Sequence, residues 1–581
     1  MSTVIGKRKR ARKACIPCHQ RKRKCDGEYP CSTCTTYRYN CRYDDTSSTA
    51  GEGEHAPLLA KHIINGGGST TAIGVTAKSR SPDSQSQVMR AAGAAGADSS
   101  SSKSPGVGSG IFDVQKSRYT GASAAMAFPH ILGVALGSDS PPKINSFAYN
   151  FGIRPEETSS AHGFLGKLIS EDDLAFYSNV YFSSMGPIGD YMDPRIYAQR
   201  CRDYYHGSSS NAVPFSAIAA GVAAFGSFLS TNRYSRETDL LQYAKAILDD
   251  PGSIRMLCVD HIIAWGMRLF YLRATTRPSH AWIASCTLMH LCEVVGLHEE
   301  ENIKRMAFVA GAAVVGHDAD RLRRIFWISW AGHHMLSYEY DRSAVTFGSV
   351  TCQAIMPILG SVADQFVQIV QIIPSPNSPF QLENQHLTPR EELFHRLTAL
   401  SKLQFTHLFL VVTKADLAFC FYRRIYQLNT GITDEIIQLI IDCGNSAIGA
   451  AEQLINHGRL WNVIGSIFQY ICILLAIDTP ASSAHIPAAF KTLENLVRAT
   501  ETVLTRQALS IARHLLSLHI ARKRKDLMQL EAIESGYESF QAQPGPEPET
   551  NATFPDIGWG FDWDQLLIEP YLSIFGPDIQ L

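Results

Sequence analysis

The amino-acid sequence predicts a small cysteine-rich module joined by a flexible linker to a large all-α domain. Three observations support this fold class: six cysteines repeat one spacing near the N-terminus, a stretch rich in Ser and Gly follows, and apolar residues recur at helical spacing from Ser170 onward. The formal net charge is −1, but the charges are unevenly distributed along the chain. Cations concentrate before residue 43, and no Lys or Arg follows Lys525. This asymmetry predicts a nucleic-acid-binding head and an acidic tail.

The clustered cysteines follow the pattern C-x2-C-x6-C-x5-C-x2-C-x6-C. They are Cys15, Cys18, Cys25, Cys31, Cys34 and Cys41. Pairs of the C-x2-C type are structural-zinc ligands, because one tight turn can aim both thiolates at a tetrahedral ion. Six sulfurs are too few for two separate tetrahedral ions, but they suffice if one cysteine of each half bridges both ions. The spacing therefore predicts a binuclear cluster with two Zn2+.

A disulfide framework and a redox C-x-x-C motif are the alternatives for these cysteines. Disulfides are poorly maintained inside cells, and no apolar secretory signal precedes the cluster, so zinc is favoured. The cysteines outside the cluster lie mostly in apolar contexts and are predicted to be reduced core residues. They are Cys201, Cys258, Cys286, Cys292, Cys352, Cys420, Cys443 and Cys472.

Residues 15–43 resemble the DNA-binding domain of the fungal binuclear zinc cluster (Zn2Cys6) transcription factors, in the cysteine spacing and in the basic run between the second and third cysteines. The resemblance implies that Cys15 and Cys31 are the bridging thiolates. One ion would take Cys15, Cys18, Cys25 and Cys31, and the other Cys31, Cys34, Cys41 and Cys15. It also implies that Arg21 and Lys22 reach base edges, with Lys22 reading a guanine of a CGG-type triplet through its O6 and N7 acceptors.

The two halves of the module repeat in spacing but not in charge. The stretch His19–Lys24 contains four consecutive cations, whereas Thr35–Asn40 contains one. Each half is expected to begin a short helix at its second cysteine, and only the first helix is basic enough to enter a major groove. Arg23, Lys24 and Arg38 are expected to bind phosphate and to set position rather than sequence. Part of the basic run could instead balance the negative charge of the cluster, but four cations exceed that need.

Two segments flank the module. Residues 1–14 contain the basic run Lys7 to Lys13, which predicts a nuclear import signal, a phosphate-binding arm that includes Arg12 and Lys13, or both. Residues 44–110 are rich in Ser, Gly, Ala and Thr, the composition of a flexible linker. Because this linker lacks an apolar heptad repeat, no coiled coil is predicted there, which leaves a monomer or a homodimer formed through the large domain.

Residues 111–525 are predicted to form the all-α domain, after an extended segment at Ser123–Gly152. The helix at Pro389 begins with a capping box of Thr388 and Glu391. The stretch Ala212–Leu229 is apolar enough for a membrane span, but its Pro, Gly and Ser residues favour a buried helix, and no membrane contact is predicted. The predicted helices are Glu171–Met185, Pro194–Tyr205, Val213–Ser230, Arg236–Asp249, Ile254–Arg273, Ala281–Val295, Arg321–Tyr338, Pro389–Leu428, Asp434–Asn456, Leu460–Ile477 and Lys491–Lys525.

Two passages of this domain carry a second resemblance. The helix that begins Ala281–Cys286 and ends Val295–His298, followed by the motif Arg323–Trp327, is similar to the fungal-specific transcription factor middle homology domain. As an architecture this resemblance covers roughly residues 120–520, although its motifs occupy far less. The arginines of the second motif, together with Arg321, could bind an anion, but a solvated helix face is expected.

The helical domain shows no catalytic signature. It contains no G-x-S-x-G, Walker-type loop or H-E-x-x-H, so an enzyme is not predicted. His298, His317, His333, His334 and Glu339 could suggest a metal site, but His333 and His334 are adjacent and face different sides of a helix. They are expected to be core or surface residues, and His298 to terminate its helix. An effector pocket in this domain is possible, although the sequence identifies no residue for it.

Residues 526–581 form an acidic, aromatic tail. Residues 541–550 are rich in Pro and Glu, and Asp556–Ile568 interleaves aromatic and aliphatic side chains with carboxylates. This composition is typical of activation segments, which present an amphipathic helix to a coactivator. The alternative is a terminal helix that docks its aromatic residues on the helical domain.

Together these features predict a nuclear, sequence-specific regulator of RNA polymerase II transcription that activates genes carrying CGG-type triplets. Its expected partners are double-stranded DNA, coactivators and the nuclear import machinery, and a metabolic or secondary-metabolite gene cluster is one possible target. A repressor, or a ligand-sensing regulator whose helical domain binds a small-molecule effector, is the alternative. An enzyme with an incidental zinc module is the third hypothesis, and no catalytic constellation supports it.

Overall fold

The computed structural model describes residues 14–20, 24–36, 39–43, 111–113, 118–142, 157–160, 162–207, 212–383, 386–429, 431–455 and 462–539. The chain divides into two compact units, Met1–Ser100 and Ser101–Leu581. In the described residues the first unit is a cysteine cluster with two short helices and the second is a helical body, which confirms the predicted fold class. Residues 1–13 of the basic arm, the linker at 44–110 and the tail beyond residue 539 lie outside the described residues.

The first unit contains α1 (Ile16–Gln20) and α2 (Ser32–Thr36). In the second unit, β1 (Ile111–Asp113) and β2 (Arg118–Thr120) pair antiparallel. A 3-10 turn at Leu165–Lys167 precedes α4. The helices of the second unit are α3 (Phe128–Ala135), α4 (Glu171–Ser184), α5 (Pro194–Tyr205), α6 (Ala212–Leu229), α7 (Glu237–Leu248), α8 (Pro251–Arg255), α9 (Val259–Thr275), α10 (Pro278–Val295), α11 (Glu300–Ala307), α12 (Ala319–Glu339), α13 (Ala363–Gln371), α14 (Pro389–Lys402), α15 (Leu408–Gln427), α16 (Asp434–Leu454), α17 (Asn462–Ile477), α18 (Pro480–Ser483), α19 (Ile486–Thr500) and α20 (Val503–Ser539).

Most predicted helices are confirmed, with ends that agree to within three residues. The predicted capping box is also present, since the Glu391 N–H donates to Thr388 Oγ1 at 3.3 Å and the Thr388 N–H donates to Glu391 Oε2 at 2.8 Å. Three predicted helices were wrong, because in each region one apolar repeat of the sequence continues through two separate helices. The regions 254–273, 389–428 and 491–525 each contain two helices, and α20 continues past residue 525 to Ser539.

The break between α14 and α15 shows that the apolar repeat of the sequence can continue across a point where the helix ends. At the C-cap of α14, Leu403 has an extended conformation. The Lys414 ammonium, one helix later, donates to the carbonyls of Ser401 at 3.0 Å and Leu403 at 2.6 Å. It satisfies acceptors that a longer α14 would have satisfied with its own backbone.

The elements that were not predicted are short. Helix α3 lies inside the segment expected to be extended, because Pro129 occupies the first turn, where proline is favoured rather than disruptive. Helices α11 and α13 have 8 and 9 residues, fewer than the window over which a helical period can be recognised. The strands β1 and β2 have three residues each, and they are an exception to the all-α prediction within the described body.

Helix α6 lies in the core and packs against α4, α7 and α9. By length and composition α6 could cross a membrane, as could the bent pair α10 and α11 counted as one span, but 72% of α6 is buried within the protein. Gly226 explains part of this close packing, because a Cβ at that position would collide with the carbonyl oxygen of Tyr177 on α4. Helix α6 therefore packs as a core helix, as the interrupting small residues predicted.

The first motif of the middle homology resemblance forms the end of α10. Gly296 stops the helix in a left-handed conformation (φ 83°), and the Leu297 N–H donates back to the Cys292 carbonyl at 2.9 Å. The expectation that His298 terminates the helix was therefore wrong by two residues. The His298 ring is buried and stacks on Phe347, with ring centroids 5.3 Å apart.

The arginines of the second motif do not form a solvated face, so that prediction was also wrong. Arg324 is 0% exposed and lies 3.2 Å from Asp190, which also pairs with Arg321 at 2.5 Å. Arg323 pairs with Glu300 of α11 at 2.5 Å. The partners compensate the cost of removing the guanidinium groups from water, and they join α12 to α11 and to the segment before α5. The motif residues are structural.

Candidate metal centre and DNA-binding module

The cysteine module is built from two short helices that begin directly after Cys15 and Cys31. The expectation that each helix begins at its second cysteine was therefore wrong by two residues. The reason is visible in the second half, where the Cys34 N–H donates to Cys31 Sγ at 3.3 Å. The first cysteine of this half thus occupies the N-cap position, and the second cysteine lies inside the turn.

The structure brings all six cysteine sulfurs of the module together in two overlapping groups. Within each group the sulfur atoms lie within 4.8 Å of one another. The groups are Cys15, Cys18, Cys25 and Cys31, and Cys15, Cys31, Cys34 and Cys41. Cys15 and Cys31 belong to both groups, and their sulfurs are 3.6 Å apart.

These distances fit tetrahedral zinc. With zinc–sulfur bonds of about 2.3 Å, two sulfurs on one tetrahedral ion are separated by roughly 3.8 Å. The described module is also well enclosed, since five of the cysteines are buried and Cys25 is half-buried. The residues therefore fit a binuclear cluster.

The thiols differ in their proton affinity. Burial alone would raise the pKa of Cys31, but the Cys34 N–H and the neighbouring thiols lower it to about 6. Burial raises the pKa of Cys34 to about 12 and raises that of Cys18. Because metal ligands must be thiolates, ion binding at this cluster displaces protons and is favoured by higher pH.

The loop between Cys25 and Cys31 is fixed by residues that the sequence analysis did not identify. Asp26 accepts hydrogen bonds from the N–H groups of Glu28 at 3.2 Å and Ser32 at 2.8 Å, so it caps α2 from outside. The Tyr43 hydroxyl donates to the Glu28 carbonyl at 3.0 Å. The Asp-Gly pair at residues 26–27 is a turn signal that could have indicated the cap, whereas nothing in the sequence indicates the tyrosine.

The structure describes one of the predicted DNA-contacting residues. Lys24 is exposed, and its carbonyl accepts a hydrogen bond from the Thr33 hydroxyl at 2.7 Å, which ties the end of the basic run to α2. The other predicted contacts lie outside the described residues. They are Arg12, Lys13, Arg21, Lys22, Arg23 and Arg38.

The described histidines of the body do not form a metal site. His333 lies 2.8 Å from Ser285 Oγ and accepts the Val345 N–H at 2.7 Å, whereas His334 lies 3.0 Å from the Trp330 carbonyl. Burial lowers the pKa of His333 to about 3 and that of His334 to about 4, so both rings are neutral core residues. Across the described ranges, groups of metal-ligating side chains occur in the cysteine module alone.

Residues 13–50 match the Fungal Zn(2)-Cys(6) binuclear cluster domain family. The similarity extends well beyond this module, because Protein RDR1 of Saccharomyces cerevisiae is 36% identical over 534 residues, which is 90% of this chain and 92% of the relative. The chain belongs to the fungal Zn2Cys6 transcription factor family. Transcription factor kojR of Aspergillus oryzae is 28% identical over 583 residues, covering 96% and 94% of the two chains.

The chain is also similar to the Probable transcriptional repressor C1348.12 of Schizosaccharomyces pombe, which is 21% identical over 460 residues, covering 78% of this chain and 93% of the relative. No solved structure matches the chain. Membership of the Zn2Cys6 family makes this protein a zinc-binding, DNA-binding regulator of transcription, and it confirms the prediction that the protein is not an enzyme.

Proposed function

We propose that the chain is a nuclear protein that binds CGG-type triplets through a module holding two structural Zn2+ and activates transcription by RNA polymerase II. The observation that carries this proposal is the pair of overlapping sulfur groups that share Cys15 and Cys31. A shared pair allows six sulfurs to serve two tetrahedral ions. The same arrangement leaves no open coordination position, so the zinc fixes a fold and supplies no catalysis.

In this proposal the DNA contacts divide into two classes. Arg21 and Lys22 reach base edges, and Lys22 reads a guanine. The remaining cations contact phosphates and set the position of the module on the duplex. They are Arg12, Lys13, Arg23, Lys24 and Arg38, and the exposure of Lys24 supports this role for that residue.

The proposed domains follow the predicted boundaries. Residues 1–14 engage the import machinery, residues 15–43 bind DNA, and residues 44–110 link this module to the regulatory domain at residues 111–525. Residues 526–581 recruit coactivators, although α20 carries regular helix across the start of this segment to Ser539. The target genes proposed are those of a metabolic or secondary-metabolite cluster.

The zinc assignment is tested by metal analysis of the purified full-length protein. We expect two zinc ions per chain. A Cys18→Ser variant should keep more zinc than Cys15→Ser, because Cys18 lies in one sulfur group and Cys15 in both. Cys201→Ser, a buried cysteine of the body, is the matched control and should keep both ions. A single ion in the wild type, or equal losses from Cys15→Ser and Cys18→Ser, would contradict the shared-thiolate arrangement.

DNA reading is tested with fluorescently labelled duplexes that carry or lack a CGG triplet. Lys22→Ala should lose about 1–3 kcal/mol of discrimination for the triplet. The matched variant Lys24→Ala should weaken binding to both duplexes alike and reduce the slope of log affinity against log salt by about one. Uniform weakening by Lys22→Ala would refute its role in base reading.

The alternative, a repressor, is favoured by one observation, the name of the Schizosaccharomyces pombe relative. Fusing residues 540–581 to an unrelated DNA-binding domain separates the two possibilities in a reporter assay. Activation by the fusion supports the proposal, and its loss on replacing Trp559, Phe561 and Trp563 by Ala would assign it to the aromatic residues. A silent fusion would support the repressor.

A further inference from the structure

The helical body contains a cavity between α9, α12, α13, α15 and α17. Its volume, counted to include the solvent at its open mouth, is about 590 Å³. This is enough for several waters or a small molecule. Most of its wall is apolar and includes Leu269, Phe270, Met335, Leu336, Phe366 and Phe409.

One end of the cavity collects hydrogen-bond acceptors. Asp416 on α15 lines the cavity, and its carboxylate accepts hydrogen bonds from two neutral groups, the Ser466 hydroxyl and the Asn462 side-chain amide at 3.3 Å. Asn462 is 7% exposed, and its Oδ1 has no hydrogen-bond partner within the described structure. Thr413 uses its hydroxyl proton on the Phe409 carbonyl at 2.8 Å and so presents lone pairs. A buried acceptor without a donor is costly, which indicates that a ligand supplies one.

The charged pair beside this end is already balanced. Arg273 on α9 donates to both carboxylate oxygens of Glu339 on α12, at 3.0 and 2.9 Å. Among the described residues, no cation is in direct contact with the Asp416 carboxylate. Burial first, and then the Glu339 charge, raise the pKa of Asp416 to about 7, as expected for an acid without a partner of opposite charge.

A glycine keeps the cavity open. Gly332 lies inside α12 on the cavity wall, and a Cβ at this position would meet one atom, Leu269 Cδ2, at 4.0 Å. Its φ is not positive and no close approach requires a glycine here. Glycine in a helix interior is destabilising, so the position gives up helix stability and preserves space.

We propose that this cavity binds a small, mainly apolar molecule that carries a primary ammonium group, with the ammonium donating to the Asp416 carboxylate and to Asn462 Oδ1. The apolar body of the ligand lies against the Leu and Phe side chains of the wall. The site makes the helical body a receptor for organic amines. This inference goes beyond the proposed function and does not depend on DNA recognition by the cysteine module.

Titration calorimetry of the full-length, zinc-loaded protein at pH 8 tests the proposal. The probes are 2-phenylethylamine and n-hexylamine, and the matched controls are 2-phenylethanol and 3-phenylpropanoate, which replace the ammonium by a hydroxyl or a carboxylate. We expect 2-phenylethylamine to bind at least tenfold more tightly than the two controls, and n-hexylamine to bind as well. Failure of both amines to bind at millimolar concentration, or equal binding of alcohol and amine, would overturn the assignment.

Two variants locate the site. Asp416→Asn should weaken amine binding at least tenfold, and Gly332→Leu should abolish binding of all the probes because the new side chain fills the cavity. Asp526→Asn, an exposed exchange of the same type on α20, should leave binding unchanged. Unchanged far-UV circular dichroism verifies that each variant is folded. Amine binding that survives both cavity variants would place it elsewhere and refute the proposal.

The pH dependence gives an independent check. The groups that face Asp416 are Arg273, Glu339, Asn462 and Ser466. Because the ammonium pairs with the ionised acid, amine affinity should fall several-fold from pH 8 to pH 6 in the wild type and stay flat in Asp416→Asn. Equal slopes for the two proteins would contradict the role of Asp416.

Discussion

The buried ion pair between Arg200 and Asp260 allows a quantitative test of the packing of the helical body. The Arg200 guanidinium donates to both carboxylate oxygens of Asp260, at 3.1 and 2.5 Å, and the two side chains are 10% and 3% exposed. His317 Nε2 lies 3.3 Å from the same carboxylate, and the guanidinium covers the Phe215 ring at 4.3 Å. The proposed perturbation is Arg200→Met, which keeps an apolar stem over the ring and removes the charge.

The expected cost follows from the charge that remains. Removing one partner of a buried ion pair destabilises a protein by about 3–5 kcal/mol, because the other charge stays buried. His317 Nε2 remains beside the Asp260 carboxylate in the variant, so the lower end of this range, about 3 kcal/mol, is expected. That is a large share of the 5–15 kcal/mol by which a domain is typically stable.

Urea unfolding of the full-length protein, followed by far-UV circular dichroism, measures this cost because the body contains most of the described helix. Arg202→Met is the matched control, since Arg202 lies on the same helix α5 and is exposed. At pH 7 the free energies of unfolding of the two variants should differ by about 3 kcal/mol. A difference below about 1 kcal/mol would refute the conclusion that Arg200→Met leaves a buried carboxylate without its main partner.

The sign of the pH dependence is a second criterion. Burial would raise the pKa of Asp260, but His317 and Arg200 together lower it well below its usual range. In the wild type the resulting stabilisation is fully present above the ordinary aspartate pKa and is lost as the pH falls from there through the lower pKa of the folded state. In Arg200→Met the effect of burial on the pKa of Asp260 is less opposed, so Asp260 takes up its proton at a higher pH than in the wild type. The loss of unfolding free energy caused by the substitution should therefore become smaller as the pH falls. A cost that grows as the pH falls would contradict this account.

Three further outcomes are expected. Gly332→Ala should raise the free energy of unfolding by about 0.5–1 kcal/mol, since it removes a helix-interior glycine without a clash, and a lower Tm would contradict this. His333 and His334 stay neutral in the folded protein and protonate near pH 6.5 when unfolded, so stability should fall below pH 6.5 by up to about 1.4 kcal/mol per pH unit for each ring. Thermal unfolding between pH 7 and 5 checks this, and His334→Asn should flatten the dependence. Chelation of zinc by EDTA should abolish DNA binding, measured by fluorescence anisotropy, and leave most of the far-UV helical signal, which comes from the other unit.

The cysteine module could be predicted from the sequence because the residues that determine its structure lie close together in the chain. The spacing fixes which sulfurs a short turn can bring together, and the structure places them in two groups that share Cys15 and Cys31. The starts of its helices could not be predicted, because the cap is a sulfur, Cys31 Sγ, and thiols are not among the usual capping groups. The roles of Arg21 and Lys22 remain predictions.

The helices of the body could be predicted where a long apolar repeat is bounded by capping residues in the adjacent sequence. The end of a helix, or the burial of a side chain, could not be predicted where a residue distant in the sequence determines it. Lys414 ends α14 from another helix, and Arg324 is buried because Asp190, 134 residues earlier, meets it. A run of arginines on a helix has the same sequence whether it faces water or distant acids. The cavity beside Gly332 also depends on packing, since a glycine inside a helical period gives no signal of the space around it.

The contact between Gly226 and the backbone of Tyr177 has a consequence for how this protein tolerates substitution. The atom that a new side chain would strike is a backbone carbonyl oxygen inside α4, which cannot rotate away as a flexible side chain can. In a saturation library screened for folded protein, position 226 should return glycine alone. At position 332 the same library should accept alanine, because that glycine borders empty space rather than a neighbouring helix.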